Sequence, residues 1–299
     1  MQGLGEPLNA DFNGDTQRGV GFYQFMNRYR KRSSAADAYI SPMENNPNLS
    51  VQLHTEVIRI VLDGNRAVGV EYVDKSGARH IAHCAADVIL SAGALVTPKI
   101  LMLSGIGPAE HLIGHEIPVK IDLPGGGQHL IDHPEVPISA LANGPYGYYK
   151  KGVGWRMLKN GLLFKLFGSG PITTAGVEAG AFVNPTDPES PPTVQASPPS
   201  ERIKRIALPS PDDLSDDALA EHCKRFVKTN YHPASSARMG ADGDPMAVLD
   251  AKLRVRGIDN LRVCDMSAVP NINAGNTNAP AMMIGHRCAD FILASDDAA

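Results

Sequence analysis

One stretch limits the possible folds of this chain more than any other: residues 90 to 107, LSAGALVTPKILMLSGIG. Asp87-Val-Ile-Leu90 is a short apolar run of the kind shown by a strand covered on both faces, and it passes through small residues into a helical pattern. A buried strand, a glycine turn and a helix in that order make an α/β junction whose backbone can approach a ligand closely. The spacing predicts a helix that Pro98 starts, its fixed φ suiting a first helical position, and that Gly105 ends. A phosphate cradle is the usual occupant of such a turn, yet G-x-G-x-x-G occurs nowhere in the 299 residues.

The surrounding pattern is mixed α/β. Residues 1–47 are rich in Gly, Asn and Arg and predict an extended or loop-dominated segment. From Asn48, apolar residues at Val51, Leu53, Val57, Ile58, Ile60 and Leu62, with Asp63-Gly64-Asn65 as a turn, predict a hairpin or meander. The stretch from His80 to Cys84 leads into the buried strand. Residues 153–168 hold the single Trp with Leu, Phe and three basic residues, a composition that suits an interfacial helix or a lid, although ordinary packing is the expectation. Eight prolines between Pro185 and Pro211 predict a linker or irregular loop, and the main boundary is placed there. Beyond it, Ser215 as N-cap, Asp216 and Asp217 in the first turn and the stripe Leu219, Cys223, Phe226, Val227 predict a helix. A strand at Leu261–Cys264 and a helix from about Pro280 to Leu293 complete the chain.

A net charge of -4 and a pI near 6.2 give no basic excess overall, so no nucleic-acid partner is expected and small molecules are favoured. Cys84, Cys223, Cys264 and Cys288 form no C-x-x-C pair, which argues against a zinc ribbon or disulfide framework and for buried reduced thiols. No uncharged apolar run reaches the ~18 residues of a membrane span, and no leader pattern opens the chain, so a cytoplasmic location is expected. His111 and His115 are spaced for a metal pair, but Gly114 interrupts their helical face; His80 and His83 fall on opposite faces of a strand, and no metal is expected.

Three C-terminal segments carry the candidate chemistry: HPASSARMG from His232, LRVCDMSAVP from Leu261 and GNTNAPAMMIG from Gly275. Each alone is weak, since a His before Pro is commonly a surface residue and Asn276 and Asn278 suit turns and caps. In this order, with the spacing between His232 and Asn276, they resemble the C-terminal signature of the glucose-methanol-choline family of FAD-dependent alcohol oxidoreductases. The run Gly93-Ala-x-x-Thr97-Pro98-x-Ile100-Leu101-x-x-Ser104-Gly105-Ile106-Gly107 resembles that family's second signature, as do Asp11-Phe-Asn13-Gly14, Arg32-Ser33-Ser34-Ala35 and Ala67-Val-Gly-Val-Glu71 elsewhere.

The resemblance implies an incomplete FAD-binding Rossmann-like domain of the type shared with p-hydroxybenzoate hydroxylase, with a reduced substrate-binding domain. On that basis residues 1–135 are the later part of the FAD-binding region with its β-meander, 136–214 the reduced substrate domain and linker, and 215–299 the segment with the active-site pair. It implies oxidation of a primary alcohol, choline-dehydrogenase-like, with His232 as base and Asn276 as the second catalytic residue. Val57, Ser91, Ala92, Gly93, Asp265, Met266, Thr277 and Asn278 would meet FAD, and dioxygen or a quinone would accept the electrons. The departures are local and large. The glycine fingerprint is missing, a substrate-domain segment is absent between Gln195 and Leu214, Ser235 stands where a glycine is usual, and His129 and Ile131 alter the stretch Gly127 to His133. A truncated form is therefore expected, and two alternatives stay open: a non-catalytic remnant without stable FAD binding, and a hydroxynitrile-lyase-type reaction on the same fold.

Overall fold

The computed structural model describes residues 5–29, 31–145, 147–173, 177–184, 186–187, 189–190, 192, 194–196 and 203–296. The chain divides into two compact units, each built from two separate segments: Met1–Val51 with Val136–Phe226, and Gln52–Glu135 with Val227–Ala299. This differs from the linear division expected from the sequence. Residues 1–51 group with 136–226, and the boundary falls after the Asp216–Phe226 helix instead of within the proline-rich stretch.

The unit of 52–135 and 227–299 holds the main core. Glu56–Asp63, Arg66–Val73 and Arg79–His83 form an antiparallel meander, Ile60 opposite Val70 and Val70 opposite Ala82. The turn at Gly64-Asn65 uses a φ of 56° at the glycine, as the sequence predicts, whereas Val51 and Leu53 precede the strand in a loop. Gly69 is required: a Cβ there would stand 2.2 Å from the Ala82 carbonyl oxygen. Val88–Leu90 pairs in parallel with Leu261–Val263, residues far apart in sequence. Ile60, Leu90, Ile100, Leu101, Val248, Leu249, Leu261 and Val263 pack into one cluster around this pair.

Val88–Leu90 buries Val88 and Leu90 but leaves Ile89 exposed, so the strand is covered on one face and not on both as expected. The helix after it spans Gly93–Leu103, so it begins five residues before the Pro98 start that the sequence predicts. Pro98 therefore lies inside it and cannot donate to the carbonyl of Ala94. The Ser236 hydroxyl donates to that carbonyl instead, which lets a helix-breaking residue sit in a regular helix. The final helix, Asn278–Asp296, is longer at both ends than expected.

The unit of 5–51 and 136–226 has a smaller core. Gly19–Phe22, Ala179–Val183 and Val194–Ala196 form an antiparallel sheet covered by Phe12, Tyr23 and Phe182, with ring centroids 4.9 to 6.4 Å apart. The N-terminal segment is thus more regular than a loop. It also contains a short hairpin, Asn27–Arg28 with Lys31–Arg32, and helical turns at Ala36–Ile40 and Ser41–Met43. The proline-rich stretch holds two strands, Val194–Ala196 and Ile203–Leu208, in windows free of proline; Pro185, Pro188, Pro191, Pro198 and Pro199 lie outside the described residues. The Asp216–Phe226 helix forms as predicted, Ser215 Oγ accepting from the Ala218 amide at 3.3 Å. The Trp155–Phe167 helix departs from expectation, for no residue in it is buried. Of the four thiols, all free, Cys288 alone is buried and Cys223 is exposed.

Candidate active site

A two-stranded ladder builds the candidate site. Pro134 pairs with Thr229 and Glu135 with Lys228, the Asn230 amide donates to the His133 carbonyl at 3.0 Å, and Ile131 and Ala234 exchange backbone bonds at 3.1 and 2.9 Å. This register sets Asp132-His133 beside Tyr231-His232. The Asp132 carboxylate accepts the amides of His133 at 2.7 Å and His232 at 2.9 Å, together with the Thr229 hydroxyl. Burial pushes that carboxyl up, but those bonds and then the charge of His232 hold it below the usual range.

The two imidazoles meet edge to face, His133 Nδ1 lying 3.0 Å from His232 Nδ1, and His133 Nε2 lies 2.8 Å from the Asn273 carbonyl oxygen. Asn273 in turn donates from Nδ2 to the carbonyls of Gly275 at 2.8 Å and Asn276 at 3.3 Å. Through this chain of contacts the segment carrying Asn276 is tied to the ring beside His232. The Asn276 side chain itself is exposed. Burial first, and the neighbouring His133 second, lower the pKa of His232 below the ordinary 6.5, against an opposing pull from Asp132.

His133 was not among the residues expected from the sequence. Its signal was present in the Asp132-His133 dipeptide at the end of the altered stretch, but only the ladder with 228–234 reveals its partner.

Val57, Ser91 and Ala92 line one open groove of about 680 Å³ between the meander and the strand-to-helix turn. Gly93 follows with a φ of 83°, and a Cβ there would meet nothing within 4 Å. Asp265 fastens this turn: one carboxylate oxygen accepts from the Gly93 amide at 2.9 Å and the Thr97 hydroxyl at 2.6 Å, the other from the Ser267 amide at 2.7 Å. Met266 is buried, and its carbonyl accepts the Ser235 amide at 2.9 Å, a backbone link between the groove side and the histidine side. Thr277 and Asn278 stand at the start of the last helix, where the Ala281 amide bonds the Thr277 carbonyl. Beside the same strand end, burial and then Cys288 push the Cys264 thiol up to about 12, so it stays protonated and is no nucleophile at neutral pH.

Comparison with known proteins gives a consistent result. Two sequence models described as GMC oxidoreductase match residues 188–285 and 1–135. Mitochondrial choline dehydrogenase of Mus musculus is 31% identical over 363 aligned positions, covering 96% of this chain and 61% of that protein. An alcohol dehydrogenase [acceptor] of Pseudomonas putida is 30% identical, covering 98% of this chain and 66% of its own length. This chain thus spans under two thirds of these relatives. The aligned span of 363 positions also exceeds the 299 residues here, so the mouse protein carries interior residues that this chain lacks. Among solved structures, a formate oxidase of Aspergillus oryzae superposes with a TM-score of 0.87 at 21% identity over 98% of this chain and 68% of that one. Pyridoxine 4-oxidase from Mesorbium loti gives 0.80 at 23% identity over 97% and 67%. At these identities the structures speak for the fold.

Proposed function

The chain belongs to the GMC oxidoreductase family, and from that membership we propose that it oxidises a small primary alcohol to the aldehyde with FAD as cofactor, a reading supported by its likeness to choline and alcohol dehydrogenases. The observation that carries the proposal is the contact chain His232, His133, Asn273. A carbonyl can only accept, so His133 Nε2 bears the hydrogen given to Asn273, and the Nδ1 of neutral His133 is bare. The 3.0 Å contact then has His232 Nδ1–H donating to His133 Nδ1, which leaves the lone pair of His232 Nε2 free. Because its pKa lies below 6.5, the ring is unprotonated at neutral pH. An imidazole held in this way takes the hydroxyl proton of the alcohol, a role worth about 10²- to 10⁴-fold in rate. The neutral carboxamide of Asn276 hydrogen-bonds the developing alkoxide without taking the proton.

The residues present fit the cofactor. The groove has room, its walls at Ser91 and Ala92 are small, and the space in front of the following Gly93 is open. In this reading Val57, Ser91, Ala92 and Gly93 would hold the dinucleotide part, Asp265 and Met266 stand at the end of the Leu261–Val263 strand, and Thr277 and Asn278 stand at the positive end of the last helix. When bound, FAD supplies the acceptor for the hydride that leaves the alcohol carbon. Dioxygen or a quinone is the final electron acceptor.

The test is direct. Added FAD raises the melting temperature and the purified protein shows flavin absorbance. With FAD loaded, His232→Ala lowers turnover by about 10²- to 10⁴-fold and Asn276→Ala by less. Undiminished turnover in His232→Ala removes the base assignment. A colourless protein whose melting temperature ignores FAD establishes the remnant reading.

A further inference from the structure

The helix Trp155–Phe167 carries its apolar residues outward. At 3.6 residues per turn, Trp155, Leu158, Leu162 and Leu166 fall within an arc of about 80°. They are 66, 72, 58 and 61% exposed. On the side turned away from this stripe, Asn160 and Phe164 are half-buried, while Met157 and Phe167 are exposed as well. Lys159 and Lys165 flank the outward stripe, one along each edge. A stripe of this kind needs a cover.

Charge identifies the cover. Residues 136–177 contain no Asp or Glu, yet they hold Lys150, Lys151, Arg156, Lys159 and Lys165, in a chain whose net charge is -4. The hairpin Asn27–Arg28 with Lys31–Arg32 lies in another acid-free run, residues 16–36. Tyr29, Lys31, Phe164, Lys165 and Gly168 line one shared recess of about 380 Å³, so hairpin and helix make a continuous surface. Among the described residues, none of the lysines or arginines of this surface enters an ion pair. Instead several lean on exposed rings: Lys159 over Trp155 at 5.8 Å, Lys151 over Tyr148 at 5.5 Å and Arg28 over Tyr29 at 5.0 Å.

Aliphatic side chains, aromatic rings and cations that enter no ion pair among the described residues, on and beside one helix, match the headgroup boundary of an anionic bilayer. A nucleic acid would use the cations and leave the leucines in water. No described helix is long and apolar enough to cross a membrane, so the helix would lie along the surface. We propose that the Trp155–Phe167 helix and the Asn27–Arg32 hairpin form one docking surface for an anionic lipid membrane.

Co-flotation of the full chain with vesicles tests this without reference to flavin or turnover. Phosphatidylcholine vesicles carrying one part in four phosphatidylglycerol bind the protein; pure phosphatidylcholine binds it far less, and high salt weakens binding. Each of Lys150→Glu, Lys151→Glu and Lys159→Glu weakens partitioning about fivefold or more. Leu158→Ser with Leu162→Ser weakens it by at least about tenfold, with unchanged circular dichroism confirming the fold. Wild-type protein that stays with the soluble fraction overturns the proposal, as does vesicle binding that ignores the leucine pair. A dimer in size-exclusion chromatography that Leu158→Ser with Leu162→Ser dissolves assigns the stripe to a second copy and overturns it too. So does tight binding of duplex DNA that the leucine changes leave intact.

Discussion

Ser235 sits at a φ of 71° and is fully buried, and its hydroxyl has no hydrogen-bond partner among the described residues. A left-handed conformation costs a residue with a Cβ about 1–2 kcal/mol, and a buried unpaired hydroxyl adds to that. Ser235→Gly is therefore expected to raise the melting temperature by several degrees in a thermal scan, and a fall would show that the hydroxyl has a stabilising partner. The neighbouring charges of His232 give a second prediction. Its pKa is lowered by burial and by His133, so in acid the unfolded chain takes up a proton that the fold resists, and stability declines as pH falls through the 6.5 of an ordinary imidazole. Asp132 acts in the opposite direction, favouring the protonated ring. Asp132→Asn should move the His232 titration to lower pH, as followed by imidazole NMR; an upward shift would contradict the assignment. His232 is singled out by the sequence because its segment carries a long motif. His133 is not, because its meaning lies in a partner 99 residues away.

At the scale of elements, the Gly93–Leu103 helix shows what local reading misses. Proline is a good first-turn residue, and placing the helix start at Pro98 follows from that rule. The chain instead turns into the helix at Gly93, where Asp265 accepts both the Gly93 amide and the Thr97 hydroxyl. Nothing within the helix announces this, since Asp265 lies 172 residues from Gly93 and Ser236 lies 142 residues from Ala94. Ser236→Ala should leave the Ala94 carbonyl without a partner and cost about 1–3 kcal/mol in denaturant unfolding. Pro98→Ala restores an amide able to reach the same carbonyl, so the cost of Ser236→Ala should shrink in the Pro98→Ala background. An equal cost in both backgrounds would show that the hydroxyl stabilises the fold by another route. The meander, by contrast, was readable from residues near one another, because its register follows from alternation and a two-residue turn.

At the scale of the whole molecule, fold class and the cut between Glu135 and Val136 were legible and the grouping of segments was not, for one reason: each compact unit is assembled from segments that a linear reading separates. The sequence predicts a buried strand at Asp87–Leu90 and another strand at Leu261–Cys264, and nothing in composition says that they pair. Their pairing has a consequence for folding. A fragment of residues 52–135 keeps the meander but loses the parallel partner of Val88–Leu90, the Asp265 carboxylate that fastens Gly93 and Thr97, and the core residues Val248, Leu249, Leu261 and Val263. What remains exposes the apolar face that those residues cover, and closing that face late, over a long loop, is a costly step for the intact chain as well. Residues 52–135 alone should therefore show no cooperative thermal transition by circular dichroism and poorly dispersed amide NMR signals. Adding residues 227–299 as a separate chain should restore a cooperative transition whose midpoint rises with concentration, as a bimolecular fold requires. A sharp transition in the isolated 52–135 fragment would mean that the meander and the Gly93 helix form a core without the second segment, and the parallel pair would then be an addition to the fold instead of its organising contact.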